Sequence, residues 1–134
     1  MTGPLILLVE DNEANQMLAR AVLELDGFEV RIAGTADEAR AELRARTPSL
    51  ILMDVQLPGE DGLSLTREVK ADPSTASIPV VALTAHAMSG DRALAVDAGC
   101  QGYIAKPIDT RTFGKEVRRH IAAASRSTPR VAAQ

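Results

Sequence analysis

Short, wholly apolar runs alternate with stretches of helical period along the chain. Leu5-Ile6-Leu7-Leu8-Val9 is apolar at five consecutive positions, as expected of a strand covered on both faces. A helical pattern follows at Ala14, Met17, Leu18, Ala21, Val22 and Leu25, spaced i, i+3, i+4, i+7 and closed by Gly27. Phe28 to Ala33 reads as a second strand, and Thr35 to Arg46 as a helix with Ala36, Ala39 and Leu43 inward, stopped before Pro48. Leu50-Ile51-Leu52-Met53 is a third buried run and ends on Asp54. Beyond the Pro58-Gly59 turn a helix carries Leu63, Leu65 and Val69 and ends near Asp72-Pro73. Pro79 to Leu83 gives strand four, Ser89 to Ala98 a helix ended by Gly99, and Gly102 to Ala105 a short fifth strand. Thr110 to about Ala124 is the last helix, with Phe113, Val117 and Ile121 on one side.

Five strands alternating with five helices predict an α/β fold, a parallel sheet with helices on both faces. In such sheets ligands sit beyond the carboxyl ends of the strands, where strand order reverses. Polar residues collect at those ends: Glu10-Asp11 after strand one, Asp54 after strand three, Thr84 after strand four, and Lys106-Pro107 after strand five. If strands one and three are neighbours, three carboxylates share one cleft, and like charges so close repel unless a cation compensates. Lys106 and a divalent metal are the candidates; hard oxygen ligands with room for water favour Mg2+. An ionised carboxylate needs no general base to attack phosphorus. Thr84 and Lys106 can offer a hydroxyl and an ammonium to phosphoryl oxygens, so the cluster suits phosphoryl transfer.

The stretches LLVEDNEAN, ILMDVQLPGEDGL, PVVALTAHAM and GYIAKPID, in this order and spacing, resemble response-regulator receiver domains over about residues 5–122. The resemblance implies a CheY-like, flavodoxin-like (βα)5 fold with strand order 2-1-3-4-5. It implies that Asp54 is the phosphoacceptor, that Glu10, Asp11, Asp54 and the backbone carbonyl of Gln56 hold Mg2+, and that Thr84 and Lys106 bind phosphoryl oxygens. Tyr103 would be the aromatic switch that follows Thr84, and Lys106-Pro107 a cis peptide. Pro58 and Gly62 match the turn after the acceptor. Gln56 and His86 flank the approach to the phosphoryl group and are expected to set its lifetime through water access. The wording of VEDNEAN and TAHAMSGD is similar to stand-alone receivers of the DivK type and to receiver modules of hybrid kinases. The donor implied is a histidine kinase or a histidine phosphotransfer protein, and the output a protein target on the surface of helix 4, strand 5 and helix 5. A phosphorelay shuttle or phosphate sink is the alternative use of the same site.

The remaining features narrow the classes. The chain has 134 residues, 46% hydrophobic and 25% charged, and only 2% aromatic, so the core is built from aliphatic residues and alanine. Residues 1–124 are expected to form one receiver domain and residues 125–134, rich in Ser, Ala, Arg and Pro, a flexible tail. A net charge of −3 does not suggest a global attraction to nucleic acid or membrane, and the absence of a long apolar run or signal-like start makes the cytoplasm the expected location. The local arginines near the C-terminus, Arg118, Arg119, Arg126 and Arg130, read as a solvated face and tail. Cys100, alone, reads as a buried apolar residue, and His120 as part of a solvated face rather than a phosphodonor. An aspartyl-phosphate hydrolase would need an acid two residues after its nucleophile, where this chain has Gln56; self-phosphorylation and slow self-dephosphorylation are the only expected catalysis. A flavin module would need a Ser/Thr/Gly-rich loop after strand one, where Glu10-Asp11-Asn12-Glu13 would repel a phosphate.

Overall fold

The computed structural model describes residues 3–57, 59–85 and 89–132, with side chains at residues 3–57, 59–85 and 92–124. Five strands, β1 (Leu5–Val9), β2 (Glu29–Ala33), β3 (Leu50–Asp54), β4 (Val80–Thr84) and β5 (Gly102–Ala105), pair in parallel in the order β2-β1-β3-β4-β5. The helices α1 (Glu13–Leu25), α2 (Ala36–Ala45), α3 (Gly62–Ala71), α4 (Ser89–Ala98) and α5 (Phe113–Ala132) connect them.

Strand alternation divides the core in two. Leu7, Val9, Ile51, Met53, Val80 and Ala82 face α2, α3 and α4 and meet Ala36, Ala39, Leu65, Val69, Ala95 and Ala98. Ile6, Leu8, Leu50, Leu52, Val81, Leu83 and Ile104 face α1 and α5 and meet Ala19, Leu23, Phe113 and Val117. Both faces are covered, which is why β1 is wholly apolar and β3 and β4 are apolar up to their last residues, Asp54 and Thr84. Cys100 is buried in the first of these clusters.

The helices begin where side chains can cap them. Asn12, Thr35 and Asp61 accept hydrogen bonds from the backbone N–H of Asn15, Glu38 and Leu63, at the starts of α1, α2 and α3. Gly27, at φ +94°, turns the chain after α1 in a conformation that disfavours other residues.

Two expectations shift. On α1 the inward residues are Ala19 and Leu23, with Val22 half-buried. Ala14 and Ala21 are exposed, and Met17, Leu18 and Leu25 are 70%, 42% and 89% exposed. The helix carries two apolar stripes, and the shorter one is buried because the amide of Gln16 sits on the inner side, donating to the carbonyl of Glu10 at 2.6 Å. Helix α5 runs as backbone helix to Ala132, beyond the end expected near Ala124. Apolar periodicity marks where a helix packs, and the alanines at 122–124 let it continue past the last packed turn.

Candidate functional site

The carboxyl ends of β1, β3, β4 and β5 converge because of their register. Val9 pairs with Met53, Asp54 with Leu83, and Thr84 with Ala105, so Glu10, Asp54, Thr84 and Lys106 emerge at one rim. Backbone bonds carry the register past the strands: Val55 N–H donates to the Leu83 carbonyl at 3.1 Å, and Lys106 N–H to the Thr84 carbonyl at 2.8 Å.

Glu10 and Asp54 are buried at 1% and 3% exposure, an unusual state for carboxylates. The Lys106 ammonium bridges them, 3.1 Å from Glu10 Oε1 and 3.4 Å from Asp54 Oδ2. The other Glu10 oxygen accepts from Asn12 N–H at 3.1 Å and from the Asn15 amide at 3.5 Å. The other Asp54 oxygen accepts from Gln56 N–H at 3.0 Å. Asp11 is exposed and points a carboxylate to the same place: one oxygen each of Glu10, Asp11 and Asp54 lie within 4.8 Å of one another. Three oxygens at that separation, one of them open to water, fit a hard divalent cation that retains part of its hydration.

Burial pushes the Asp54 carboxyl up to about 6, with a further upward push from Glu10; the Gln56 N–H and the Lys106 ammonium act against it. For Lys106 burial disfavours the charge, but its hydrogen bond to Glu10 and the charges of Asp54 and Glu10 outweigh that, so its pKa lies above the usual lysine value.

By Asp61 the chain has returned to the end of β3. Gln56 bridges Asp61, and Gly62 N–H donates to the Val55 carbonyl at 3.0 Å. At Gly62 a Cβ would run into the Asp54 carbonyl, so only glycine allows this approach. Arg40 on α2 holds the loop from outside, bonding Glu60 as well as Glu68 of α3 and Asp37.

Thr84 is buried at the end of β4. Tyr103 is half-buried on β5, packed against the α2-α3-α4 core, with the Arg92 guanidinium 4.8 Å from its ring centre. Gln56 is exposed beside Asp54, and the Lys106-Pro107 peptide is cis. Pro58 and His86 lie outside the described residues. His120 departs from its expected solvated face: half-buried, it fills the space that a Cβ on Gly102 would need. The sequence reading also missed Asn15, Gln16 and Arg92. Asn15 had a usable signal, since it stands three residues after the cap Asn12 and so faces back over the strand end.

A buried acidic pair bridged by a lysine, with a third carboxylate open to solvent, sits at the switch point of a five-stranded parallel sheet. Residues 6–118 match the response regulator receiver domain, and the chain belongs to that family. It is accordingly a phosphoacceptor module of two-component signalling. The polar-differentiation response regulator DivK of Brucella ovis is 40% identical over 116 residues, covering 87% of this chain and 94% of the relative. Among solved structures, the receiver domain of the sensor histidine kinase PA1611 of Pseudomonas aeruginosa, with a magnesium ion coordinated in its active-site cleft, is 37% identical. It covers 90% of this chain and 99% of its own, with a TM-score of 0.82. The receiver domain of a signal transduction histidine kinase from Syntrophus aciditrophicus is 29% identical, covers 93% and 95%, and has a TM-score of 0.83. Receiver domains work between histidine kinases and downstream targets. Among the described residues no helix is long and apolar enough to cross a membrane.

Proposed function

We propose that Asp54 is the phosphoacceptor, that Glu10, Asp11, Asp54 and the carbonyl of Gln56 bind Mg2+, and that Lys106 and Thr84 receive the phosphoryl oxygens. The observation that carries this reading is the Lys106 bridge between two buried carboxylates, with Asp11 a few ångströms away. An Asp54 oxygen attacks the phosphorus of a phosphohistidine whose other ring nitrogen carries a proton; the P–N bond breaks, and the electron pair leaves with the nitrogen as neutral imidazole. With its pKa near 6, Asp54 is largely ionised at neutral pH and needs no base to become a nucleophile. Lys106 already stands between the acceptor and Glu10, so positive charge is in place before the phosphoryl group arrives. A bound divalent cation would neutralise the remaining phosphoryl charge.

The chain's own catalysis is limited to accepting the group and slowly hydrolysing it, since Gln56 supplies no proton. Charge at Asp54 draws on Thr84, Tyr103 follows, and the α4-β5-α5 surface changes for a protein target rather than for nucleic acid. Leu94 and Val96, exposed on α4, give that surface apolar contact area. The donor is a histidine kinase or phosphotransfer protein acting in the cytoplasm, residues 1–124 are the signalling body, and residues 125–134 are its C-terminal tail. Acetyl phosphate with Mg2+ tests the assignment by intact mass. Wild type gains one phosphoryl group and Asp54→Asn gains none; an adduct that persists in the variant rules out Asp54 as acceptor.

A further inference from the structure

Register places Ala82 beside Tyr103 and Thr84 beside Ala105. Strand alternation then puts Thr84 and Tyr103 on the same face of the sheet, on neighbouring strands, the face covered by α2, α3 and α4. Tyr103 packs against that core yet stays half-exposed, and the guanidinium of Arg92 on α4 lies over its ring at 4.8 Å from the centre. Arg92 is exposed, and among the described residues no carboxylate pairs with it. A planar cation over an aromatic face is attracted by the ring quadrupole, and arginine does this better than lysine because its plane can lie flat on the ring.

We propose that Arg92 is a positioning residue of the switch: by stacking on Tyr103 it holds the ring in its half-exposed seat and so sets how readily the molecule converts when Asp54 is charged. This rests on the reading of Thr84 and Tyr103 as the switch pair given above. A ring that leaves this seat for the space beside Thr84 abandons the guanidinium. The stack therefore favours the resting conformer alone, and a contact made in one of two states shifts the equilibrium by its full worth. At an exposed site that worth is about 0.5–1 kcal/mol, a roughly two- to five-fold change in the ratio of the two conformers. By reciprocity, the concentration of phosphoryl mimic needed for conversion changes by the same factor. Arg92 thus acts as a threshold residue, at a distance from the acceptor and without contact with the phosphoryl group.

The composition supplies the probe, because Tyr103 is the only tyrosine in the chain and there is no tryptophan. Protein made with 3-fluorotyrosine carries one fluorine signal, and it reports this ring alone. Wild type, Arg92→Gln and Arg92→Lys are titrated with beryllofluoride in the presence of Mg2+, with melting curves to verify that each variant is folded. In wild type the signal moves on saturation. In Arg92→Gln the midpoint falls two- to five-fold, while the saturated signal coincides with that of wild type. Arg92→Lys, which keeps the charge but loses the flat face, lies between. A midpoint in Arg92→Gln equal to that of wild type, with the wild-type signal moving normally, overturns the role of Arg92 and leaves the switch intact. A wild-type signal that stays put while beryllofluoride binds overturns the switch reading itself, and the role of Arg92 with it.

Discussion

Asp54 is held at a cost. Its carboxyl titrates near 6 in the folded protein, against about 3.8 in an unfolded chain, so between those values the folded state binds more protons. Stability contributed by this group is therefore greatest below about pH 4 and is lost as the pH rises through about 6, a difference of roughly 2–4 kcal/mol at most. In metal-free buffer Asp54→Asn is expected to stabilise the fold by about 1–3 kcal/mol at pH 7.5 and to make little difference at pH 4, measured by urea unfolding at both values. Lys106 has the opposite balance. Lys106→Met leaves Glu10 and Asp54 buried together without a countercharge and is expected to cost about 2–4 kcal/mol at pH 7.5, part of it restored by millimolar Mg2+. A melting curve of Lys106→Met equal to wild type in EDTA would contradict the bridge.

Among the elements, α1 and the loop after β3 carry the sharpest expectations. Leu23→Ala on the buried stripe should cost about 2–5 kcal/mol, whereas Leu25→Gln on the outer stripe should stay within about 0.5 kcal/mol of wild type. Reversed values would mean that the helix is turned the other way. Gly62→Ala forces a methyl group against the Asp54 carbonyl and must displace the loop that presents Gln56. Weakened Mg2+ binding, read by calorimetry, is the expected result, together with lower stability. The elements and their order were legible because β1, β3 and β4 are apolar up to their last residues, β2 alternates, and α1 to α4 each have a capping residue or a terminating glycine. The polar rim was legible too, since Glu10, Asp54, Thr84 and Lys106 stand directly at strand ends. The phase of α1 was not: when a helix has two apolar stripes, the choice depends on what the sheet offers opposite, here a carbonyl for Gln16. Neither was the Arg92 stack, because Arg92 and Tyr103 lie on different elements and no period links them. The seat of His120 against Gly102 was hidden for the same reason.

At the scale of the whole molecule, the three carboxylates are expected to make stability depend on a divalent cation. A ligand that binds the folded state alone adds about 2.7 kcal/mol at a concentration one hundred times its dissociation constant. Melting temperature should therefore climb with Mg2+ in wild type and climb much less in Glu10→Gln or Asp11→Asn; equal slopes in all three would remove these residues from the metal site. The same arrangement has a temporal side. Lys106 reaches Glu10 across 96 positions of sequence. A chain emerging from the ribosome exposes its acidic groups first and its ammonium last. Until β5 docks beside β4, the rim lacks the Lys106 ammonium, so the cleft is incomplete before nearly the whole domain has been synthesised. Competence to receive a signal thereby becomes a late milestone of biogenesis, and a half-made copy cannot intercept the message.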